Sequence, residues 1–269
     1  GFKMQFVDQA SGYNGGTIVY TYSTNSIQIT QSANSSVSAE SLDYGNGWIR
    51  LIMKFTTNVA QNYNYQAIES IGGDSFIWGA QLEQQSYATS YIPTDGASAT
   101  RNQELCNNAT PVINSEEGVL YAEISALAND GVNRIISLSN GSQSNRVIIF
   151  YTSVNNQIRV ISSTNSSNQF DRHFTLPDVK SIHKVAIKYK ANDFSFWVDG
   201  SKISSEASGL APIGLSELSF DNGSGGANFF GNTKGLKYYP KALADVQLEA
   251  LTSFGSFTEM ANALNYTII

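Results

Sequence analysis

The sequence has little charge and a single cysteine. Only 14% of its 269 residues are charged, and 22 acidic against 16 basic residues give a net charge of −6. Lys and Arg form no cluster, so we expect neither a nucleic-acid partner nor binding to anionic membrane surfaces. Cys106 has no second cysteine with which to form an intramolecular disulfide. Because oxidising compartments permit disulfides in proteins of this size, this predicts synthesis and folding in a reducing cytoplasm.

Long hydrophobic runs are also missing. No stretch approaches the ~20 apolar residues of a membrane span, which predicts that the chain does not insert into a membrane. The first residues, GFKMQFVDQ, have no signal-peptide pattern. Since no Met opens the sequence, we expect an excerpt or a cleaved product of a longer protein.

Apolar and polar residues alternate through most of the chain, which is the pattern of half-buried β-strands. In Trp48–Phe55, Ile49 and Leu51 lie on one face and Trp48 and Arg50 on the other. The other predicted strands are Thr17–Tyr22, Ile27–Thr30, Tyr63–Ile68, Phe76–Leu82, Val119–Leu127, Arg134–Ser139, Arg146–Thr152, Gln157–Ser162, His183–Lys190 and Phe194–Val198. Turns rich in Gly, Asn and Asp separate them, and Asp199-Gly200 predicts a tight hairpin. The fold class is therefore all-β.

A polar stretch without alternation, residues 93–116, interrupts the strands and predicts a junction between two β-sandwiches. We place the boundary near Arg101, which gives domains of residues 1–101 and 102–269. Helical spacing appears only after about residue 241, first at Leu243, Val246, Ala250 and Leu251. Ser256 and Glu259 form a capping box that predicts a second short C-terminal helix.

Two stretches resemble known families. The segment FIWGAQLEQQSYATSYIPTDGASATR (Phe76–Arg101) resembles the end of a carbohydrate-binding-module-like jelly-roll found in phage tail and fibre proteins. The segments EGVLYAEIS, HKVAIKYKANDFSFWVDGSKI and GLKYYPKALADVQLEALT resemble concanavalin A-like, laminin-G-like β-sandwiches. Together these resemblances imply a bacteriophage tail fibre, tailspike or related virion appendage. They imply a homotrimer that contacts other virion proteins and acts outside the cell on a bacterial cell-surface polysaccharide or glycan.

Concanavalin-like folds also include glycosidases, which need paired carboxylates at a fixed spacing. The nearest acidic stretch, Glu116-Glu117 followed by Glu123, has the wrong period for that motif. His173 and His183 lack zinc-ligand spacing. We therefore expect the chain not to be an enzyme.

Calcium is a possible ligand, since related lectins often bind it through loop Asp and Asn oxygens. The stretches Asn129-Asp130-Gly131 and Asp221–Gly226 supply such oxygens, but neither is a complete calcium-loop motif. Asp-Gly and Asn-Gly pairs are also common turn formers. We therefore predict no obligatory cofactor.

A sugar site would combine exposed aromatic rings with Asn, Gln and Asp side chains. In the first domain the candidates are Trp48, Tyr63 and Tyr65. In the second domain the candidates are Trp197 and the glycine-rich loop that carries Asp221, Asn222 and Asn228. These rings could instead cover a second sheet face or an interface between domains or subunits. Trp78, inside the W-G-A-Q-L-E stretch, is expected to be structural.

The leading hypothesis is a receptor-binding region of a phage fibre that recognises a host glycan without cleaving it. A purely structural, trimer-forming appendage module is the first alternative. A pair of carbohydrate-binding modules from a larger secreted bacterial glycosidase or adhesin is the second. A stable trimer favours a virion fibre, whereas a monomer favours a module taken from an enzyme.

Overall fold

A computed structural model describes residues 1–8, 13–31, 35–57, 65–100, 112–253 and 255. The chain divides into two compact units, Gly1–Ala99 and Thr100–Ile269. Arg101, the predicted boundary residue, and Cys106 lie outside the described residues.

The described part of the first unit contains six strands in two antiparallel sheets. The strands are Phe2–Asp8 (β1), Tyr13–Thr21 (β2), Ser26–Gln31 (β3), Ser35–Asp43 (β4), Ile49–Thr57 (β5) and Tyr65–Ser70 (β6). A four-stranded sheet has the order β3-β2-β1-β6, and β4 pairs with β5 in a separate hairpin.

The sheet and the hairpin pack face to face. Buried Phe6 and Ile18 from the sheet contact buried Val37 from the hairpin, and the rings of Phe6 and Phe55 stack with centroids 4.0 Å apart. Gly16 allows this close approach, because a Cβ there would lie 2.5 Å from Val37 Cγ2 and 2.7 Å from Phe6 Cε1. The alternation of apolar residues thus produces a small two-layer core.

The second unit contains ten strands and one helix within the described residues. The elements are Glu117–Ala126 (β7), Arg134–Ser139 (β8), Arg146–Tyr151 (β9), Gln157–Thr164 (β10), Ser167–Thr175 (β11), His183–Lys190 (β12), Phe194–Val198 (β13), Ser201–Glu206 (β14), Glu217–Ser219 (β15), Gly231–Tyr239 (β16) and Asp245–Thr252 (α1). One five-stranded sheet has the order β11-β10-β9-β8-β15 and the other has the order β14-β13-β12-β7-β16.

Both sheets of the second unit bury one face in a common core. Ile136, Ile149 and Val160 from the first sheet and Ile187 and Phe196 from the second belong to this core, and all are fully buried. Burial of such side chains contributes ~1.5–3 kcal/mol each. The two sheets therefore form a β-sandwich.

A second, smaller apolar cluster lies on the outer face of the β7-containing sheet. Trp197 and Tyr121 point away from the main core and pack under helix α1, whose Leu248 is fully buried. Lys184 Nζ donates a hydrogen bond to the Ser253 carbonyl, 2.9 Å away, at the end of this helix. The helix thus covers part of a sheet face that would otherwise be exposed.

The predicted all-β class and the short helix after residue 241 are confirmed. Strands β8, β12 and β13 have the predicted bounds. The Asp199-Gly200 hairpin is also confirmed, since the two residues have φ values of 47° and 82° and join β13 to β14. The helix predicted from Ser256 lies outside the described residues.

One predicted strand is wrong. Phe76–Leu82 has alternating apolar residues but forms no strand. Among the described residues, its backbone makes no hydrogen bond to another backbone group, and Gly79 at its centre has a φ of +68°. A strand requires a neighbouring ladder, and this segment has none.

Candidate functional site

The first unit contains a cleft of about 680 Å³. Strand β5 with the preceding Trp48 and the non-strand segment 76–88 supply most of its lining, together with Phe2, Met4 and Ile68 from the four-stranded sheet and Tyr22 from the turn after β2. The cleft has the size and the mainly apolar lining of a small-molecule or oligosaccharide site.

Two tryptophans line this cleft, and both have accessible rings. Trp48 is 49% exposed and Trp78 is 70% exposed. Trp48 follows the Gly45-Asn46-Gly47 turn. Its N–H donates to the Gly45 carbonyl and its carbonyl accepts from the Tyr44 N–H, both at 2.9 Å. The turn therefore holds the Trp48 backbone at the start of β5.

The polar part of the cleft comes from Arg50, Lys54 and the side chains of residues 81–85. The guanidinium of Arg50 donates a hydrogen bond to the Thr89 carbonyl and a longer one, 3.4 Å, to the Tyr44 hydroxyl. Gln84 and Gln85 add amides to the lining. Rings beside amides and a guanidinium can orient a polyhydroxyl ligand through apolar contact and hydrogen bonds.

A hydrogen-bond cluster at Glu83 shapes the wall of the cleft. One Glu83 oxygen accepts from Gln81 Nε2 (2.6 Å) and Thr89 N (3.0 Å). The other accepts from Thr89 Oγ1 (2.7 Å) and from Gln85 Nε2. Burial raises the pKa of the Glu83 carboxyl, but these hydrogen bonds together outweigh burial, so its pKa lies below the ordinary value.

The same wall contains an aromatic pair. The rings of Trp78 and Tyr91 lie 4.6 Å apart, tilted by 44°. Gly79 fits against Tyr91, since a Cβ at position 79 would lie 3.3 Å from Tyr91 Cδ2. Trp78, Gly79, Gln81 and Glu83 of the W-G-A-Q-L-E stretch therefore have local structural roles.

The predicted residues of the first domain have different outcomes. Trp48 lines the cleft. Tyr63 lies outside the described residues, and only the backbone of Tyr65 is described, in β6. Ligand binding by these three residues stays a prediction.

In the second unit, the prediction that Trp197 is an exposed ring is wrong. Trp197 is 4% exposed, and its Nε1 donates to Ser195 Oγ at 3.0 Å. The alternation correctly places it off the main core face, but α1 covers that face. A ligand therefore cannot stack on this ring in the folded structure.

Asp221, Asn222 and Asn228 do lie in one loop, but the loop uses much of its hydrogen-bonding capacity internally. Buried Asp221 accepts from Gly223 N at 2.6 Å. Asn222 Oδ1 accepts from Ser224 N (3.0 Å) and Gly226 N (3.1 Å). Asn228 Oδ1 is buried and has no hydrogen-bond partner within the part of the chain that the structure describes. Binding by this loop also stays a prediction.

Among the described residues, no group of three or more His, Cys, Asp or Glu side chains could hold a metal ion. Both carboxylate oxygens of Asp130 accept from Arg134 Nη2 at 2.8 Å, so the first candidate calcium stretch contains an ion pair. Glu117 pairs with Lys190 at 3.3 Å, and Glu123 pairs with Lys234 at 2.8 Å. These acidic groups have structural partners.

Sequence reasoning missed the role of Trp78 and Arg50 in the cleft. Trp78 was expected to be structural, and it does contact Tyr91, but most of its surface is exposed. Arg50 is two residues from Trp48 and so lies on the same face of the predicted strand. This spacing is the sequence feature that could have identified Arg50. The position of segment 76–88 beside β5 could not be read from the sequence.

Comparison with protein-family models and with curated proteins finds no match. Solved structures show a distant likeness. A leech intramolecular trans-sialidase is 15% identical over 54% of this chain and 24% of its own, with a TM-score of 0.44. The CBM40 module of a Ruminococcus gnavus sialidase is 14% identical over 52% of this chain and 84% of its own, also at 0.44. A pentraxin from Limulus polyphemus is 14% identical over 53% of this chain and 72% of its own, at 0.41.

The matched part thus spans about a quarter of the length of the leech enzyme. No helix in the described part of the chain is both long and apolar enough to cross a membrane.

Proposed function

We propose that this chain is a non-catalytic glycan-recognition protein and that the cleft of the first unit is its binding site. The observation that supports this most is the presence of two exposed tryptophans, Trp48 and Trp78, in one concave cleft that also contains Arg50 and glutamine amides. Tryptophan offers a large apolar ring that loses little conformational entropy on contact, and it dominates many binding sites. The apolar C–H faces of a sugar ring fit such surfaces, while its hydroxyls need the polar groups.

A glycan array with binding affinities for the hits tests this proposal. Trp48→Ala and Trp78→Ala should each weaken binding about tenfold or more, since a central tryptophan contact is worth ~1.4–2 kcal/mol. Phe230→Ala is the matched control, because this partly exposed ring lies in the second unit and does not line the cleft. Equal affinities of all three variants and the parent chain would contradict the cleft as the site.

The biological setting of the glycan site is a further part of the proposal. The resemblance of Phe76–Arg101 to phage fibre modules supports a virion appendage that attaches to a bacterial surface glycan. A binding module from a larger bacterial glycosidase or adhesin has the same chemistry at the site. Light scattering on the parent chain separates them, since a stable trimer supports the appendage and a monomer supports the module.

One observation favours a second candidate, a structural module that associates with copies of itself. Phe76 is 94% exposed and Leu82 is 68% exposed, and both lie in the segment without backbone pairing. Contiguous exposed apolar residues commonly mark protein interfaces. If copies associate through this segment, acrylamide quenching of tryptophan fluorescence should fall as protein concentration rises, and Phe76→Ser with Leu82→Ser should abolish the change. Concentration-independent quenching would leave glycan binding as the function of this surface.

A further inference from the structure

Segment 76–92 is positioned in part by its side chains. Its first half, Phe76–Leu82, is not held by a sheet ladder, and among the described residues its backbone makes no hydrogen bond to another backbone group. Backbone position is normally fixed by such bonds. The conformation that presents Trp78 to the cleft therefore needs another cause.

The side chains of Gln81 and Glu83 supply that cause. Gln81 Oε1 accepts from Ile92 N at 2.7 Å, and the Glu83 carboxylate accepts from both the backbone N–H and the hydroxyl of Thr89. These bonds join residues 81–83 to residues 89–92. Tyr91 lies within the second stretch and Trp78 lies three residues before Gln81, so the bonds also help to hold the two rings together.

Arg50 connects this cluster to β5. Its guanidinium donates to the Thr89 carbonyl, while Thr89 N–H donates to Glu83. Arg50 is two residues from Trp48 in the sequence. One chain of hydrogen bonds therefore links the parts of the first unit that carry the two tryptophans.

Glu83 accepts four hydrogen bonds, from Gln81, Gln85 and the N–H and hydroxyl of Thr89, and donates none. An ionised carboxylate is an acceptor only and can satisfy four donors. A glutamine of the same shape would place an NH₂ group against at least one donor and break the set. The donors to Glu83 are neutral, namely Thr89, Gln81 and Gln85. The charged Arg50 guanidinium joins the cluster through the Thr89 carbonyl, and Lys54 lines the same cleft.

We propose that Glu83 is a positioning residue, which holds Trp78 in its binding orientation through Gln81 and Thr89. This inference rests on the proposed glycan function of the cleft. The carboxylate must be ionised for the cluster to form. Because the folded-state pKa of Glu83 is depressed, the cluster is intact above the ordinary value of 4.5 and is lost as the pH falls through the lower folded-state pKa.

The first test needs no ligand. The chain has three tryptophans, and Trp197 is shielded by burial, so Trp48→Phe leaves Trp78 as the accessible reporter. In that background, Glu83→Gln should increase the amplitude of fast local motion about twofold in time-resolved fluorescence anisotropy, which reports the motion of a ring that is already 70% exposed. Glu69→Gln is the matched control, because Glu69 on β6 pairs with Lys3 on β1 at 2.5 Å and does not line the cleft.

The second test uses the glycan that binds best on the array, with tryptophans 48 and 78 both present. Glu83→Gln should raise the Kd about tenfold at pH 7. As the pH falls through the depressed pKa of Glu83, below 4.5, binding by the parent chain and by Glu69→Gln should weaken. Binding by Glu83→Gln should be weak at every pH and should show no further loss on acidification. Thr89→Val should weaken binding and Thr89→Ser, which keeps the hydroxyl, should restore it.

The outcomes separate the two proposals. If Glu83→Gln leaves the local motion of Trp78 unchanged, the positioning role is overturned whatever the chain binds. If Glu83→Gln loosens Trp78 but the parent chain binds no glycan, the glycan function fails while the structural link from Glu83 to Trp78 stands. If Glu83→Gln weakens binding and removes the acid step, both proposals are supported.

Discussion

The two units of this protein reach a β-sandwich by different means. In the second unit, two five-stranded sheets bury one face each in a large apolar core, and a helix covers part of an outer face. In the described part of the first unit, a four-stranded sheet packs on a two-stranded hairpin around three buried apolar residues and their partly buried neighbours. The two tryptophans of the first unit are exposed, whereas the tryptophan of the second unit is buried. From this difference we expect the second unit to be the more stable one and the first unit to present the accessible surface.

The tryptophans offer the largest test of this comparison. Trp197→Ala should destabilise the second unit by about 3–5 kcal/mol, because it leaves a cavity under α1. Trp48→Ala should change the free energy of unfolding by less than about 0.5 kcal/mol, since its ring is half exposed. Urea denaturation of both variants measures the difference. Similar losses in the two variants would mean that the units do not divide these roles.

Buried polar pairs should also matter more in the second unit. His183 is fully buried, with Nδ1 2.6 Å from Asp199 Oδ2 and Nε2 3.0 Å from the Asp178 carbonyl. His183→Ala leaves Asp199 largely buried without that partner, although the carboxylate still accepts from Lys184 N at 2.9 Å. We expect a loss of about 3 kcal/mol in urea denaturation, at the lower end for breaking a buried pair. His173→Ala, at an exposed position, is the control and should be near neutral.

The stability of the first unit should be sensitive to changes at the close contact between its sheet and its hairpin. Gly16→Ala should destabilise that unit by about 1–3 kcal/mol, because the added Cβ meets Val37 and Phe6 below contact distance. Calorimetry should show an earlier transition for the first unit and an unchanged one for the second. Val37→Ala in the Gly16→Ala background should recover part of the loss, since it removes the nearer clash. Strictly additive losses would show that the clash is not the cause.

Surface ion pairs should contribute least. Arg159 Nη2 lies 2.6 Å from Asp171 Oδ2, and both side chains are partly exposed. Burial raises the pKa of Asp171, but the hydrogen bonds and charge of Arg159 outweigh it, so the net pKa lies below the ordinary value of 3.8. The stability from this pair is therefore present above that pH and is lost as the pH falls through the folded-state pKa. Asp171→Asn should cost at most ~1 kcal/mol at pH 7, and the difference from the parent chain should vanish near pH 2.

Predictions from the sequence were correct where a structure depends on residues close together in the chain, and they failed where it depends on residues far apart. Strands β12 and β13 were predicted with their bounds because alternation and the Asp199-Gly200 turn lie within a few residues of each other. Phe76–Leu82 has equally clear alternation, yet it forms no strand, since pairing depends on a neighbour distant in sequence. The Gln81, Glu83 and Thr89 cluster was not predicted because spacing alone does not show which side chains meet.

The candidate site shows the same division. Trp48 was predicted from its exposed face on β5, and the structure places it in the cleft. Trp197 likewise lies on the face of its strand that points away from the main core. It is nevertheless buried, by a helix that begins 48 residues later, at Asp245. The strand face on which a residue lies follows from the local sequence, whereas the exposure of that residue depends on what packs against the face.

The sequence by itself determined the all-β class, many strand positions, the tight hairpin at Asp199-Gly200 and the short helix after residue 241. Local alternation and turn residues are sufficient for these, because they reflect backbone preferences over a few residues. Only the tertiary structure decided which tryptophans are accessible, that Gly16 lets two layers meet, and that Glu83 holds the wall of the cleft. Those properties arise from contacts between residues far apart in the chain, and burial and hydrogen-bond geometry exist only once the chain has folded.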